Sequence, residues 1–304
     1  MSRLLLVSVI WAFAPGLIQW QRLSALDSTG GALLGAVRLV FALLVFAPLL
    51  RPRQIRLRDA VLLCATGAVQ FGLMQTFYLS AFAHLKAHEV FLFTIFTPVY
   101  VALFDAALRR RMTWNWLGAA VLAAAGAGVL LWQRADWAGL LRGALLVQLS
   151  DICFAAGQVA YRWLRPRIRV TGSGQDATAT GGEASLFGWL VAGGVAASAA
   201  TAFFAGADFR RFTPDAAQWA VLAWLGVVSS GAGYFLWNSG ATRVNAGTLA
   251  VFNNLKIPLG VLVSLTIFGT AAGDAWARLA VALPFFAAAI WWTRDRKTAP
   301  PRAA

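Results

Sequence analysis

Charge is what this sequence has least of. Asp, Glu, Lys and Arg make up only 12% of its residues, where a soluble domain carries about twice that share. Acid is the scarcer sign, with 12 Asp and Glu against 26 Lys and Arg, and only three of the basic residues are lysines. The two cysteines, Cys64 and Cys153, both lie inside apolar runs, which argues against a disulfide scaffold and reads as packing at lipid depth. Also missing are a Gly-x-Ser-x-Gly elbow, a His-Glu-x-x-His zinc motif, paired carboxylates on one helix and a Walker A loop. Their absence speaks against an integral-membrane enzyme and against direct use of ATP. No cofactor and no resident metal is expected. His84 and His88 stand four apart, but in a connection between apolar runs where no third ligand is evident, so they read as a solvated loop.

What the chain has is hydrophobic length. Sixty per cent of residues are hydrophobic and the mean hydropathy is +0.67. A bilayer-spanning helix needs roughly 20 mostly apolar residues, and ten such runs can be marked: 3–20, 31–50, 59–82, 88–108, 114–132, 141–164, 184–205, 216–240, 246–269 and 276–293. They are called spans one to ten below. The expected fold class is therefore an all-α integral membrane protein with ten transmembrane helices.

The spans repeat. Sliding Ala60–Leu108 forward by 160 positions onto Ala220–Phe268 needs no gap and keeps the hydropathy in step, with Ala81 on Ala241, Pro98 on Pro258 and Val101 on Val261. The chain then divides into a first repeat at 1–132, a second at 141–293 and a basic tail at 294–304. Five spans per repeat is an odd number, so the second copy enters the membrane from the opposite side and the repeats are inverted. Many transporters bind substrate in a central cavity where such repeats meet.

The net charge of +14 raises the question of nucleic acid, but the basic residues lie in short gaps between apolar runs and form no continuous face. The partner they imply is the lipid bilayer. With the N-terminus in the cytoplasm, 17 Lys and Arg fall on the cytoplasmic side and 7 on the other, with Arg38 and Lys256 left inside spans. The positive-inside rule thus favours both termini inside. Met1–Ala14 has the outline of a signal peptide, but Pro15 would follow the cut, and cleavage would leave nine spans. Pro166–Glu183, rich in Gly, Ser and Thr, reads as a flexible cytoplasmic loop.

The stretches Tyr78-Leu-Ser-Ala-Phe-Ala through Phe93-Thr-Ile-Phe-Thr-Pro98, and Trp237-Asn-Ser-Gly-Ala-Thr through Asn253-Asn-Leu-Lys-Ile-Pro258, resemble the third-to-fourth and eighth-to-ninth span units of the EamA-type drug/metabolite transporter superfamily. The resemblance covers essentially the whole chain. It implies a ten-helix protein of the bacterial inner membrane whose cavity is lined by spans one, three, four, six, eight and nine, with Trp11 as a cavity candidate on span one. It also implies export of amino acids, amphipathic metabolites or drugs, as in the YddG type. The chain departs from the family where Gly-Glu often closes spans four and nine, since it has Leu108-Arg109 and Gly269-Thr270 there.

Ionisable groups at membrane depth are costly and mark function by default. Lys256 is the sharpest. The repeat aligns Phe93-Thr94-Ile95-Phe96-Thr97-Pro98 with Asn253-Asn254-Leu255-Lys256-Ile257-Pro258, so one slot is aromatic in one copy, amide and cationic in the other. A fold requirement alone does not demand that asymmetry, whereas a ligand with one apolar and one anionic end does. Asn253, three residues before Lys256, shares its helix face and completes a carboxylate site. Pro258 leaves the carbonyl of Asn254 without its helical donor. Pro15, Pro98 and Pro258 are expected helix kinks.

On span six, Gln148, Asp151, Gln158 and Arg162 share one helix face, which must point to the cavity or to another helix. Asp151 is the expected partner of Lys256, a pair that substrate would compete with. Gln70 and Tyr78 on span three, and Trp237 and Asn238 on span eight, are further substrate contacts by the same spacing. Asp151, Glu89 and Arg38 are candidates for proton coupling or gating. The leading expectation is a secondary exporter of amino acids or related small amphipathic metabolites working by alternating access. A nucleotide-sugar or organic-phosphate exchanger is the rival, as is a non-transporting membrane subunit. Spans five and ten are candidate contact surfaces for a homodimer.

Overall fold

The computed structural model describes residues 2–27, 29, 31–110, 118, 121–122, 125, 137–168, 180–244, 246–268 and 275–294. All regular structure among them is helical. Seven helices are long and apolar enough to cross a membrane: Ser2–Trp20, Ala32–Leu49, Leu57–Ala83, Glu89–Arg109, Leu140–Arg167, Gly182–Phe204 and Ala216–Ala241. They match spans one to four and six to eight within a few residues. Spans nine and ten are the helices Ala246–Thr266 and Ala275–Arg294. Span five, isolated residues apart, lies outside the described residues, as do 169–179 of the polar loop and the tail from 295 onward.

Helix ends sort by their contacts into two faces. At one, Glu183 meets Arg3 at 4.0 Å and Arg243 at 3.3 Å, which gathers the start of span one, the start of span seven and the end of span eight. At the other, the Gln19 side chain accepts from the backbone of Ala87, and Gln218 donates to the carbonyl of Gln21. There the end of span one meets the starts of spans four and eight. Span one therefore runs antiparallel to spans four and eight and parallel to span seven.

Packing uses what the sequence supplies, small residues facing backbone. A Cβ at Gly67 would strike the backbone of Leu190, and one at Gly193 would strike that of Cys64. Spans three and seven thus cross with their main chains nearly touching, the close approach that small residues permit where no hydrophobic effect drives helices together. On span six, Leu141, Leu145 and Leu149 are exposed along one face while Val147, Asp151, Phe154 and Gln158 are buried on the other. The expected polar stripe indeed points inward.

Spans three and eight each carry a π-helical segment. Span three changes to a π-helix over Ala68–Leu73 and resumes α at Met74–Ser80. Span eight does so over Leu225–Gly233 and resumes at Tyr234–Ala241. The offset of 160 carries residues 68–73 onto 228–233 and Met74 onto Tyr234, so the hydropathy register coincides here with backbone geometry. The wide turns leave carbonyls to accept from side chains. Gly72 receives the hydroxyls of Thr76 and Ser198, both at 3.2 Å, and Ser229 receives the indole N–H of Trp11 at 3.1 Å.

The prolines behave unevenly. At Pro98 the helix breaks into a 3₁₀ turn, Thr94–Phe96, before restarting at Thr97. Pro15 and Pro258 instead sit inside helices that continue through them. A proline removes one backbone donor, a loss that neighbouring helices can make good inside a membrane.

Candidate functional site

A cavity opens between the helices, lined by residues of spans one, two, three, four, six, eight and nine. One wall is aromatic. Trp11 lies against Trp237, Tyr234 and Phe154, with ring centroids 5.0, 5.5 and 6.0 Å apart. Its N–H is held by the carbonyl of Ser229, so the ring is fixed in place. Phe91 and Tyr78 complete the apolar lining, with Met74 beside them.

Three charged side chains enter this space: Arg38, Asp151 and Lys256. The ammonium of Lys256 donates to Oδ1 of Asn253 at 3.3 Å and stands 5.5 Å from the centre of the Trp11 ring, within reach of a cation–π interaction. Asp151 is buried within electrostatic reach of Lys256 and of the Thr97 hydroxyl. The two charges interact without closing into a contact ion pair, and among the described residues Oδ2 of Asp151 has no hydrogen-bond partner. The expected Asp151–Lys256 pairing is thus an electrostatic interaction, without direct contact, between two residues of the cavity lining.

Arg38 is 2% exposed. One of its nitrogens, Nη2, donates to the Ser230 hydroxyl at 3.2 Å, and the same hydroxyl accepts from Gln75. Gln75 also donates to the Tyr234 hydroxyl at 3.0 Å. Nε and Nη1 of Arg38 have no partner. Span two was absent from the lining that the family resemblance implies; its one intramembrane cation brings it in.

Several predicted contacts lie elsewhere. Gln70 is fully buried and clamps Asn238, its Nε2 donating to Oδ1 at 2.9 Å, so both amides are spent on joining spans three and eight. Trp237 is buried beneath Trp11 in the core. Gln148 accepts from the Tyr100 hydroxyl at 2.9 Å and donates to the Phe93 carbonyl at 3.0 Å, which ties span six to span four. Gln158 is buried outside the cavity lining with its Nε2 unpartnered. Asn253 reaches the site only through Lys256, and Asn254 is buried away from the lining. Glu89 accepts from the Lys86 backbone N–H at 2.7 Å at the start of span four and does not line the cavity.

The shift has a backbone cause. A 3.6-residue period groups Gln70 with Met74 and Tyr78, and Ser230 with Trp237. The π turns insert a wider step in each helix, so the cavity takes Met74 and Tyr78 without Gln70, and takes Ser229 with Tyr234, five residues apart. Gln75, which α-helical spacing left out, is turned toward Ser230 and Tyr234. Asp105 was also missed. It is buried in span four and bonded to Arg109 at 2.9 Å, and the i, i+4 spacing of the two was the available signal.

Comparison with known proteins adds the following. A family model described as the EamA-like transporter family matches residues 2–132. The chain is 35% identical over 308 residues to a biotin transporter of Salmonella typhimurium, covering 100% of this chain and 95% of that one. It is 35% identical over 272 residues to a biotin transporter of Escherichia coli, covering 88% and 85%. A probable biotin transporter of Pseudomonas aeruginosa is 37% identical over 294 residues, with 97% of each chain covered. One crystal structure superposes with a TM-score of 0.67 over 96% of this chain and 97% of its own at 20% identity, a likeness of fold.

Proposed function

The chain belongs to the EamA-type transporters of the drug/metabolite transporter superfamily, and on that premise we propose that it is a secondary carrier of small amphipathic monocarboxylates, with biotin the foremost substrate. The observation that carries this reading is the cavity itself: the buried Arg38, the half-buried Lys256, one carboxylate and a fixed aromatic wall in a single space. Biotin has a carboxylate on an apolar chain and a neutral, hydrogen-bonding ureido ring, so it offers a partner to each kind of surface. The names of the relatives support the same choice over amino acids, the substrate class nearest to the sequence alone.

In this reading the protein has ten spans in two inverted repeats, with both termini in the cytoplasm of a bacterial cell and the cavity exposed alternately to either side. The face that gathers Arg3, Glu183 and Arg243 is then cytoplasmic, in keeping with the positive-inside rule. An organic-phosphate exchanger is disfavoured, because Asp151 in the same cavity offsets one of the two cations.

Flux into liposomes carrying the purified protein tests the proposal. Labelled biotin should accumulate in exchange for internal biotin, and unlabelled biotin, but neither aromatic amino acids nor nucleotide sugars, should compete. Competition by an amino acid, with none by biotin, would overturn the assignment.

A further inference from the structure

The charges in the cavity are not equally compensated. Lys256 has Asp151 as its electrostatic counterpart, accepts help from Asn253, and lies over the Trp11 ring. Those two residues together carry no net charge. Arg38 differs. Its electrostatic neighbours are the hydroxyl-bearing Tyr234 and Tyr78, and its one hydrogen bond goes to Ser230. Among the described residues no carboxylate pairs with it, although it is almost wholly buried and leaves Nε and Nη1 without an acceptor. A buried charge in that state is unfavourable unless something neutralises it.

We infer that Arg38 is the anchor for the substrate's carboxylate, and that Lys256 with Asp151 forms a separate, neutral pole that reads the uncharged polar end of the same ligand. The inference rests on the proposed carrier function and specifies how its cavity is oriented. A carboxylate brought to Arg38 supplies the missing counter-charge, and an unpartnered Nε or Nη1 donates a charge-assisted hydrogen bond to it. At the other pole an ammonium and a carboxylate that do not touch present a donor and an acceptor to the same cavity. A ureido group matches them, its carbonyl accepting from Lys256 and its N–H donating to Asp151. The aromatic wall of Trp11 and Tyr234 lies in the same cavity and takes the apolar body of the ligand. This reverses the assignment suggested by the sequence, in which Lys256 held the anion.

The test is a ratio of affinities, which separates recognition of the carboxylate from binding as such. Dissociation constants of biotin and of biotinamide, whose carboxylate is replaced by a neutral amide, are measured by ligand-induced thermal stabilisation for wild type, Arg38→Gln, Arg38→Lys and Lys256→Gln. Wild type should prefer the acid by about tenfold or more, the worth of one charge-assisted hydrogen bond. Arg38→Gln should bring the ratio close to one by weakening only the acid. Arg38→Lys, which keeps the charge and serves if the Gln variant does not fold, should retain a reduced preference. Lys256→Gln should weaken acid and amide alike and leave the ratio as in wild type. A ratio that survives in both Arg38 variants and collapses in Lys256→Gln would overturn the inference and return the anion to Lys256. A wild type that binds biotin and biotinamide equally would also overturn it, with the carrier reading intact. A wild type that binds neither would sink both.

Discussion

The cavity and the interface of spans three and eight both bury polar side chains and use them in opposite ways. At the interface, Gln70 and Asn238 face each other and exchange hydrogen bonds. In the cavity, Arg38 and Asp151 are just as buried, yet keep polar atoms without partners. Burial of a polar side chain in a membrane protein therefore does not distinguish a clamp from a binding site. Unspent hydrogen-bonding capacity does so where the residue also lines a cavity, because there an arriving ligand supplies the partner; Gln158 keeps an unpartnered amide outside the lining.

The largest expected effect would sharpen that contrast at the cavity. Asp151→Asn or Lys256→Gln alone leaves its opposite charge unbalanced and should lower stability by up to about 3 kcal/mol. The double variant should recover most of the loss in melting temperature while transport stays abolished. If the double variant melts no higher than the lower single, the two charges do not sense each other.

The interface should behave in the reverse manner. Gln70→Leu strands the amide of Asn238 and should cost about 1–3 kcal/mol, whereas Gln70→Leu with Asn238→Leu should be close to neutral. Transport per folded molecule should be unchanged in both, as judged by flux normalised to the monodisperse protein. A specific loss of flux in the stable double variant would move this pair into the binding site.

The smallest effect belongs to Gln148, which is only partly buried and bonds Tyr100 and Phe93. Gln148→Leu should cost no more than about 1.5 kcal/mol and leave biotin affinity as it is. A changed affinity with unaltered melting temperature would place the side chain at the ligand.

The sequence made the helices legible because twenty apolar residues have few other solutions in a bilayer. It also marked the buried face of span six, since Asp151 and Gln158 recur at helical spacing opposite Leu141, Leu145 and Leu149. Lys256 stood out through the difference between repeats. What periodicity could not supply was partnership. Gln70 and Asn238 lie on different spans, and nothing local in either predicts that they spend their amides on each other. The π turns were equally hidden, because no residue type demands them, and they rotated Gln75 inward while removing Gln70 from the face it was assigned to. Arg38 was visible as an intramembrane cation; that no carboxylate among the described residues pairs with it is a property of the assembled bundle.

The two π segments have one more consequence. Each holds a spare residue within an otherwise continuous rod, at Ala68–Leu73 and Leu225–Gly233, beside a cavity that touches both helices. Such slack lets the part of a helix beyond it swivel when the wide turn passes to the next set of carbonyls, an exchange of hydrogen bonds without unwinding. Because Trp11 and Ser198 grip those segments from neighbouring helices, a swivel in either would be felt at once by the aromatic wall on one side and by span seven on the other.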